Sequence, residues 1–261
     1  MANLQFTMAQ TLMTPQRLPS DSRPFDGQAP FSVPDADFPQ DPDGMDDPID
    51  LPEDAKVGVD LPASAGPYSK DEYKRLKKLL KARVSPSRHK HSVSVAKTAR
   101  LMAKAYGVDP NMARMAGLLH DWDKCLSVDE LQDRIDRFGV DVSEELVSDM
   151  PWLLHGPTAA AALEQEEQPQ FDHAVYQAIE RHTLGARNMS KLDMIVYVAD
   201  KIEPGHLVPA YQALYNRIGR MDLFDLYYAV QQENLSYLIS AGRPLNPDAV
   251  AVWNHCVKLR S

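Results

Sequence analysis

From residue 69 onward, apolar residues recur at the three- and four-residue spacing that is typical of amphipathic α-helices. One such stripe runs through Tyr73, Leu76 and Leu80. No segment alternates between apolar and polar residues in the way that a half-buried β-strand does. The pattern therefore predicts an all-α fold, with about ten helices in a single domain over residues 69–261.

Helix ends are marked by side chains that can satisfy the free backbone groups of a first turn, or by a glycine that can end a last turn. Gly107 is placed to end the helix that carries Val95 and Ala99. The predicted helix starts are Ser69 with Glu72, Asp109 before Pro110, Ser127 with Glu130, Pro157 (running to Ala162), Asp222 (running to about Gly242) and Asn246 before Pro247.

Residues 1–68 differ in composition from the rest of the chain. They contain 11 of the 20 prolines, 12 acidic residues and 3 basic residues, so this segment carries 3 − 12 = −9, the whole formal charge of the chain. A segment rich in proline and aspartate buries too little apolar surface to offset the entropy lost on ordering it. We therefore predict a disordered or loosely docked acidic tail. The alternative is a partner-binding arm that uses the apolar residues Leu4, Phe6, Met8, Leu12 and Met13.

The charge and composition of residues 69–261 exclude several classes of protein. This part has 28 − 3 = 25 basic and 37 − 12 = 25 acidic side chains, without the basic stripe of a nucleic-acid surface. No apolar run reaches the roughly 20 residues of a membrane helix, and no signal peptide is visible. Two cysteines are too few for a disulfide scaffold. We expect a cytoplasmic protein with a small-molecule partner, no nucleic acid and no membrane. A homodimer is compatible with these features.

All eight histidines lie in the helical part, and several fall on apolar faces. His91 continues the stripe of Val95, and the pair His120 and Asp121 directly follows an apolar helix. Asp200 closes the apolar run over residues 194–199. An ionised carboxylate in such a position is costly to bury unless it has a partner. These positions predict that several imidazoles and two carboxylates point into the same interior.

A divalent metal ion, or a pair of them, would explain these inward side chains together. For any single residue, a hydrogen-bonded core histidine or a capping aspartate is an equally good interpretation. The adjacent pair His120 and Asp121, combined with the other histidines and Asp200, favours the metal. Mixed histidine and carboxylate ligation suits iron, manganese or zinc better than magnesium or calcium.

Five segments resemble the HD superfamily of metal-dependent phosphohydrolases, and within it the bacterial symmetrical diadenosine tetraphosphatases. They are Arg88–His91, Leu118–Lys124, Leu154–Pro157, Arg181–Gly185 and Val198–Pro204, in order within about residues 70–258. Two positions depart from the family pattern. His89 stands where an aromatic residue is usual, and His206 stands where arginine is usual.

The resemblance implies a single HD-domain helical bundle with one or two divalent metal ions, iron first and manganese or zinc as alternatives. Four ligands would hold a first ion, as in HD domains generally: His91, His120, Asp121 and Asp200. His155 and His182 would complete a second site, with Asp121 bridging. With a single ion, these two histidines would instead contact phosphate or the leaving group.

The reaction implied by the resemblance is symmetrical hydrolysis of diadenosine tetraphosphate to two ADP by metal-activated water. The expected catalytic residues are Asp121, His155, His182 and Lys124. The expected substrate contacts are Arg88 and Lys124, each three residues from a ligand, and also Thr183, Gly185, Arg181 and Lys201.

Two other functions are compatible with the same residues. Another HD-type nucleotide phosphatase or phosphodiesterase would use the same ligands but release inorganic phosphate or a linear dinucleotide. A non-enzymatic nucleotide sensor would use the acidic segment 1–68 as its effector arm, although six ligands are more than a simple binder needs.

Overall fold

The computed structural model describes residues 66–167, 170–205 and 209–260, and these ranges are helical and contain no β-strand. The all-α prediction is therefore confirmed. The helices are α1 (Lys70–Arg83), α2 (Pro86–Tyr106), α3 (Pro110–Leu119), α4 (Val128–Phe138), α5 (Glu144–Asp149), α6 (His155–Ala162), α7 (His173–Arg181), α8 (Lys191–Ile202), α9 (Pro209–Tyr215), α10 (Leu223–Ser240) and α11 (Pro247–Arg260).

Most predicted helix ends are where the sequence placed them. The Asp109 side chain accepts the N–H groups of the first turn of α3, and Asp222 does the same for α10. Ser127 forms the complete capping box with Glu130. Gly107 ends α2 in the left-handed conformation, with φ of 69°, which glycine adopts without steric penalty.

Two predicted helix starts need correction. Ser69 accepts the Glu72 N–H, but the Glu72 carboxylate binds Arg75 rather than closing the box. The Ser69 N–H is already bonded to the carbonyl of Gly66, so it has no need of Glu72. Helix α6 begins two residues before its predicted start, at His155, because a 3-10 turn leads directly into it.

The N-terminal boundary of the folded body lies slightly earlier than predicted. Gly66–Tyr68 form a 3-10 turn, and the Tyr68 ring stacks on Phe171 with centroids 5.4 Å apart. The Tyr68 hydroxyl donates to the Asp172 carboxylate at 2.7 Å. These three residues therefore pack against the body. Residues 1–65 lie outside the described residues, so the prediction for the tail stays a prediction.

Helices α2, α3, α7 and α8 pack around the centre of the main core. The crossing of α2 and α3 depends on Gly117, where an added Cβ would lie 3.1 Å from Ala96 Cα and from Ala99 Cβ. Small residues on both helices thus allow their backbones to come close. His91 lies five residues before Ala96 on α2, and His120 directly follows α3, so this close crossing brings the two histidines near each other.

A smaller apolar cluster lies beside the main core, around Leu131, Leu146 and Leu154.

The turn between α3 and α4 is fixed by the fully buried Asp123. Its two carboxylate oxygens accept from Arg83 at 2.8 Å and from Arg134 at 3.1 Å. Among the described residues, no helix combines the length and the apolar character needed to cross a bilayer.

Candidate metal centre

Six side chains that are distant in sequence meet in one cluster. His91 comes from α2, and His120 and Asp121 follow the last residue of α3. The other three come from the start of α6, the end of α7 and the last turn of α8: His155, His182 and Asp200. The convergence that the sequence interpretation requires is therefore present.

One half of the cluster is formed by His91, His120 and two carboxylates. The Nε2 atom of His91 lies 3.0 Å from Asp200 Oδ1 and 3.3 Å from His120 Nε2. His120 Nε2 lies 3.2 Å from Asp121 Oδ2 and 3.4 Å from Asp200 Oδ1. The donor atoms of His91, His120 and Asp121 all lie within 4.8 Å of one another. Such spacing suits ligands that share a single cation.

The other half is formed around the second oxygen of the same aspartate. His155 Nε2 lies 3.2 Å from Asp121 Oδ1 and 3.1 Å from His182 Nε2. His182 Nε2 lies 3.7 Å from that oxygen. Asp121 thus presents one oxygen to each half, which is the arrangement that a carboxylate bridging two ions would have.

The histidine rings are oriented by hydrogen bonds at their far nitrogen. The Nδ1 atoms of His120, His155 and His182 lie 2.8, 2.7 and 2.6 Å from the carbonyl oxygens of Gly117, Trp152 and Ile179. A carbonyl oxygen only accepts, so each Nδ1 carries the proton. Nε2 is therefore the ring nitrogen that faces the centre in all three histidines, as in a histidine that binds a metal ion.

Both carboxylates are ionised in spite of their burial. Burial opposes the charge on Asp121, but His120 and Arg88 hold the pKa of its carboxyl well below the usual range. Burial also opposes the charge on Asp200, and Lys201 together with hydrogen bonds from histidines holds its pKa well below the usual range. Two buried negative charges at one point require positive charge nearby.

The imidazoles differ in their protonation. Burial and the nearby Lys124 ammonium lower the pKa of His155 to about 3. Burial and the charge of His120 lower the pKa of His182. Burial also disfavours the charged form of His120, but attraction to Asp121 outweighs it and raises the pKa to about 10. His155 and His182 are therefore neutral at pH 7, whereas a cation bound beside His120 would displace its proton.

Three cations surround the cluster, and their partners differ. Arg88 donates to Asp121 Oδ2 at 2.8 Å, so the predicted phosphate contact also neutralises a ligand. Lys201 donates to Asp200 Oδ2 at 2.9 Å and to the carbonyl of His182 at 3.0 Å. The Lys124 ammonium has no hydrogen bond or ion pair in the part of the chain that the structure describes. Lys124 is therefore the cation that remains available to a ligand.

The other predicted contacts lie on the turn after α7. Thr183 and Gly185 follow His182 directly, and Gly185 has φ of 76°. A Cβ at Gly185 would lie 2.6 Å from the Tyr227 hydroxyl, so only glycine fits there. Arg181 is bound to Asp193 at 3.0 Å, a partner that the sequence did not indicate.

One polar residue beside the cluster was missed by the sequence interpretation. Glu203 is buried and lies 3.3 Å from His91 Nδ1. Its place in the segment Val198–Pro204, one helical turn after Asp200, was the available signal. His206, a departure from the family pattern, lies outside the described residues.

Comparisons with known proteins match the part of the chain that contains this cluster. The HD domain family matches residues 88–205. A symmetrical bis(5'-nucleosyl)-tetraphosphatase of Halalkalibacterium halodurans is 30% identical over 177 residues, covering 67% of this chain and 92% of the relative. One of Staphylococcus aureus is 31% identical over 169 residues, covering 63% and 84%.

A solved structure is similar over nearly its whole length. It is the crystal structure of a protein from Clostridium acetobutylicum described as a predicted HD superfamily hydrolase involved in NAD metabolism. The TM-score is 0.67 at 29% sequence identity, and the match covers 72% of this chain and 98% of that one. The similarity therefore spans the cluster together with the helices that hold it.

Proposed function

This chain belongs to the HD-domain family of the symmetrical bis(5'-nucleosyl)-tetraphosphatases, and we therefore propose that it hydrolyses dinucleoside polyphosphates. The preferred substrate is diadenosine tetraphosphate, which is cleaved symmetrically to two ADP. The central phosphoanhydride bond breaks, one ADP gains the oxygen of water, and the bridging oxygen leaves with the other ADP.

The observation that carries this proposal is the division of the Asp121 carboxylate between two sets of imidazoles. His91, His120, Asp121 and Asp200 would hold one divalent ion. His155, His182 and the second oxygen of Asp121 would hold another. Divalent ions bound there would supply an acidified water and Lewis-acid polarisation of phosphoryl oxygens. The donor set of imidazoles and carboxylates fits such ions, with iron first and manganese or zinc as alternatives.

The cations of the chain orient the substrate in this proposal. A tetraphosphate carries several negative charges, and Lys124 can donate to its oxygens because no carboxylate of the described residues holds the ammonium. Arg88 and Lys201 hold Asp121 and Asp200 in place and extend positive charge toward the phosphates. The rings of His120, His155 and His182 are buried, so the substrate would approach the cluster from another side.

The turn after α7 supplies further contacts in the proposal. Thr183 offers a hydroxyl next to the ligand His182. The Gly185 N–H already donates to the carbonyl of Arg181 at 2.9 Å, so Gly185 shapes the turn and does not donate to phosphate. Arg181 is the lesser candidate, since its guanidinium already neutralises Asp193. These contacts would orient the nucleotide without taking part in bond cleavage.

Product analysis of diadenosine tetraphosphate tests the proposed reaction. The protein with Mn²⁺ is expected to release ADP as its only nucleotide product, separated by anion-exchange chromatography. AMP together with ATP would refute symmetrical cleavage, and inorganic phosphate from nucleotides without any ADP would favour another HD-type activity. Asp121→Ala should abolish turnover, whereas Asp129→Ala, an exposed aspartate in the first turn of α4, should not.

Two finer expectations have their own measurements. Metal analysis of the purified protein gives the identity and the number of ions, and two per chain is expected from the shared Asp121. Light scattering after size exclusion checks the homodimer, which stays a prediction.

A further inference from the structure

The four histidines of the cluster are oriented in two different ways. His120, His155 and His182 lie at helix ends or beside a 3-10 turn, where each Nδ1 meets a carbonyl oxygen three residues earlier. Carbonyl groups at such ends have no partner within the helix and can accept from a side chain. His91 lies inside α2, where the neighbouring carbonyls are used by the helix. Its Nδ1 therefore needs an acceptor from another element.

Glu203 is positioned to be that acceptor. It follows the last residue of α8, is 3% exposed, and places Oε1 3.3 Å from His91 Nδ1. At the opposite end of the same ring, Asp200 Oδ1 lies 3.0 Å from His91 Nε2. One turn of the chain at the end of α8 thus holds the His91 ring at both nitrogens.

The Glu203 carboxylate is itself held in place. Its Oε2 accepts the N–H of Gly205 at 2.7 Å, and Ser94 on α2 also hydrogen-bonds to it. A Cβ at Gly205 would lie 2.5 Å from Oε1 and 2.9 Å from Oε2 of Glu203, which is too close for either oxygen. Gly205 therefore leaves the space that the carboxylate occupies, and alanine there would push the carboxylate away from His91.

We propose that Glu203 is a positioning residue that orients His91 through its Nδ1 and so sets the affinity of the site for its ion. The carboxylate accepts a hydrogen bond from His91 Nδ1–H, so that Nε2 faces the cluster as the ligand atom, and it fixes the ring between α2 and α8. This role rests on the proposed metal site, and Glu203 acts in it without being one of the six ligands. Gly205 contributes to this role because it leaves room for the Glu203 carboxylate.

Three variants and one control test the proposal. Glu203→Ala removes the acceptor, Glu203→Gln keeps an acceptor without the charge, and Gly205→Ala displaces the carboxylate while leaving it in the chain. The control is Asp193→Asn, which alters another buried carboxylate of α8. Asp193 is bound to Arg181 and caps the first turn of α8, seven residues before Asp200, and it forms no hydrogen bond with His91.

Two measurements separate positioning from general stability. The first is the affinity for Mn²⁺ by titration calorimetry, which should be about 10–100-fold weaker in Glu203→Ala and in Gly205→Ala, with a smaller loss in Glu203→Gln. The second is the ¹⁵N chemical shifts of the imidazoles in the protein loaded with diamagnetic Zn²⁺. The His91 Nδ1 signal, which reports the hydrogen bond to Glu203, should move in Glu203→Ala, whereas the signals of His155 and His182 should not. Asp193→Asn should lower Tm without changing either measurement.

The Mn²⁺ affinities and the His91 shifts of these variants decide whether Glu203 positions His91. Unchanged Mn²⁺ affinity and unchanged His91 shifts in Glu203→Ala would overturn it. If Glu203→Ala does not fold, Glu203→Gln and Gly205→Ala give the same decision. A wild-type protein that binds Mn²⁺ but releases no ADP would refute the proposed reaction alone, because the affinities and the His91 shifts would still report on Glu203.

Discussion

Lys124 and Arg88 both face the cluster, yet replacing them by methionine should have opposite effects on stability. Lys124 has no bonded partner among the described residues, and burial lowers the pKa of its ammonium. A lysine whose pKa is lower in the folded than in the unfolded protein destabilises the fold at any pH below its unfolded-state pKa. The reason is that the charged form is favoured in the unfolded chain. Lys124→Met should therefore leave Tm unchanged or raise it.

The same change should reduce turnover. A hydrogen bond from a charged donor to a phosphate oxygen contributes about 1.5–3 kcal/mol. Lys124→Met should therefore lower kcat/KM for diadenosine tetraphosphate by about 10–150-fold, since about 1.4 kcal/mol corresponds to a factor of ten.

Arg88→Met should lower both stability and turnover. Arg88 donates to Asp121 at 2.8 Å, and the two side chains are 16% and 3% exposed. Removing one partner of a buried ion pair costs about 3–5 kcal/mol. At about 2–4 °C per kcal/mol for a domain of this size, Tm of the metal-free protein should fall by roughly 6–20 °C. Mn²⁺ should restore part of this loss, because it neutralises Asp121 in place of the guanidinium.

The assays are calorimetric Tm with EDTA and with Mn²⁺, and steady-state ADP release under the same conditions. Lys124→Arg serves as the charge-retaining control and should keep more activity than Lys124→Met. A large fall in Tm for Lys124→Met would refute the reasoning, as would wild-type kcat/KM, because either result would mean that Lys124 serves the fold rather than the substrate.

Other measurements test the remaining parts of the structure. Asp123→Ala should lower Tm by roughly 6–20 °C, since it removes the buried carboxylate that pairs with Arg83 and Arg134, two partly buried arginines; a shift below about 2 °C would contradict these ion pairs. Gly156→Ala would place a Cβ 2.9 Å from the Glu180 carbonyl, so it should separate α6 from α7 and reduce kcat/KM more than it reduces Tm. Tyr68→Phe removes the hydroxyl bonds to Asp172 and should cost about 1 kcal/mol in chemical denaturation, whereas wild-type stability would mean that the turn is not docked. Chelation with EDTA should lower Tm of the wild type, and added Mn²⁺ should restore it; Tm that does not respond to Mn²⁺ would count against a metal site.

The sequence by itself determined the features that depend on near neighbours. The caps at Asp109 and Ser127 act on N–H groups within three residues, so their identity fixes the helix starts. The capping box predicted at Ser69 is only half formed, because the Ser69 N–H donates to the carbonyl of Gly66 in a turn that the pattern did not predict. Local signals therefore describe helix ends well when no other group competes for the same atom.

The family pattern also identified which side chains meet, because the order and spacing of His91, His120, Asp121 and Asp200 carry that information. The tertiary structure alone decided which partner each charged side chain of the site binds. Arg88 reaches Asp121 across 33 residues, and Glu203 reaches His91 across 112. Spacing along the chain does not encode such distances, since they depend on how closely α2, α3 and α8 approach one another. At the crossing of α2 and α3, Gly117 with Ala96 and Ala99 sets that approach, and through it the distance between the elements that carry His91 and His120.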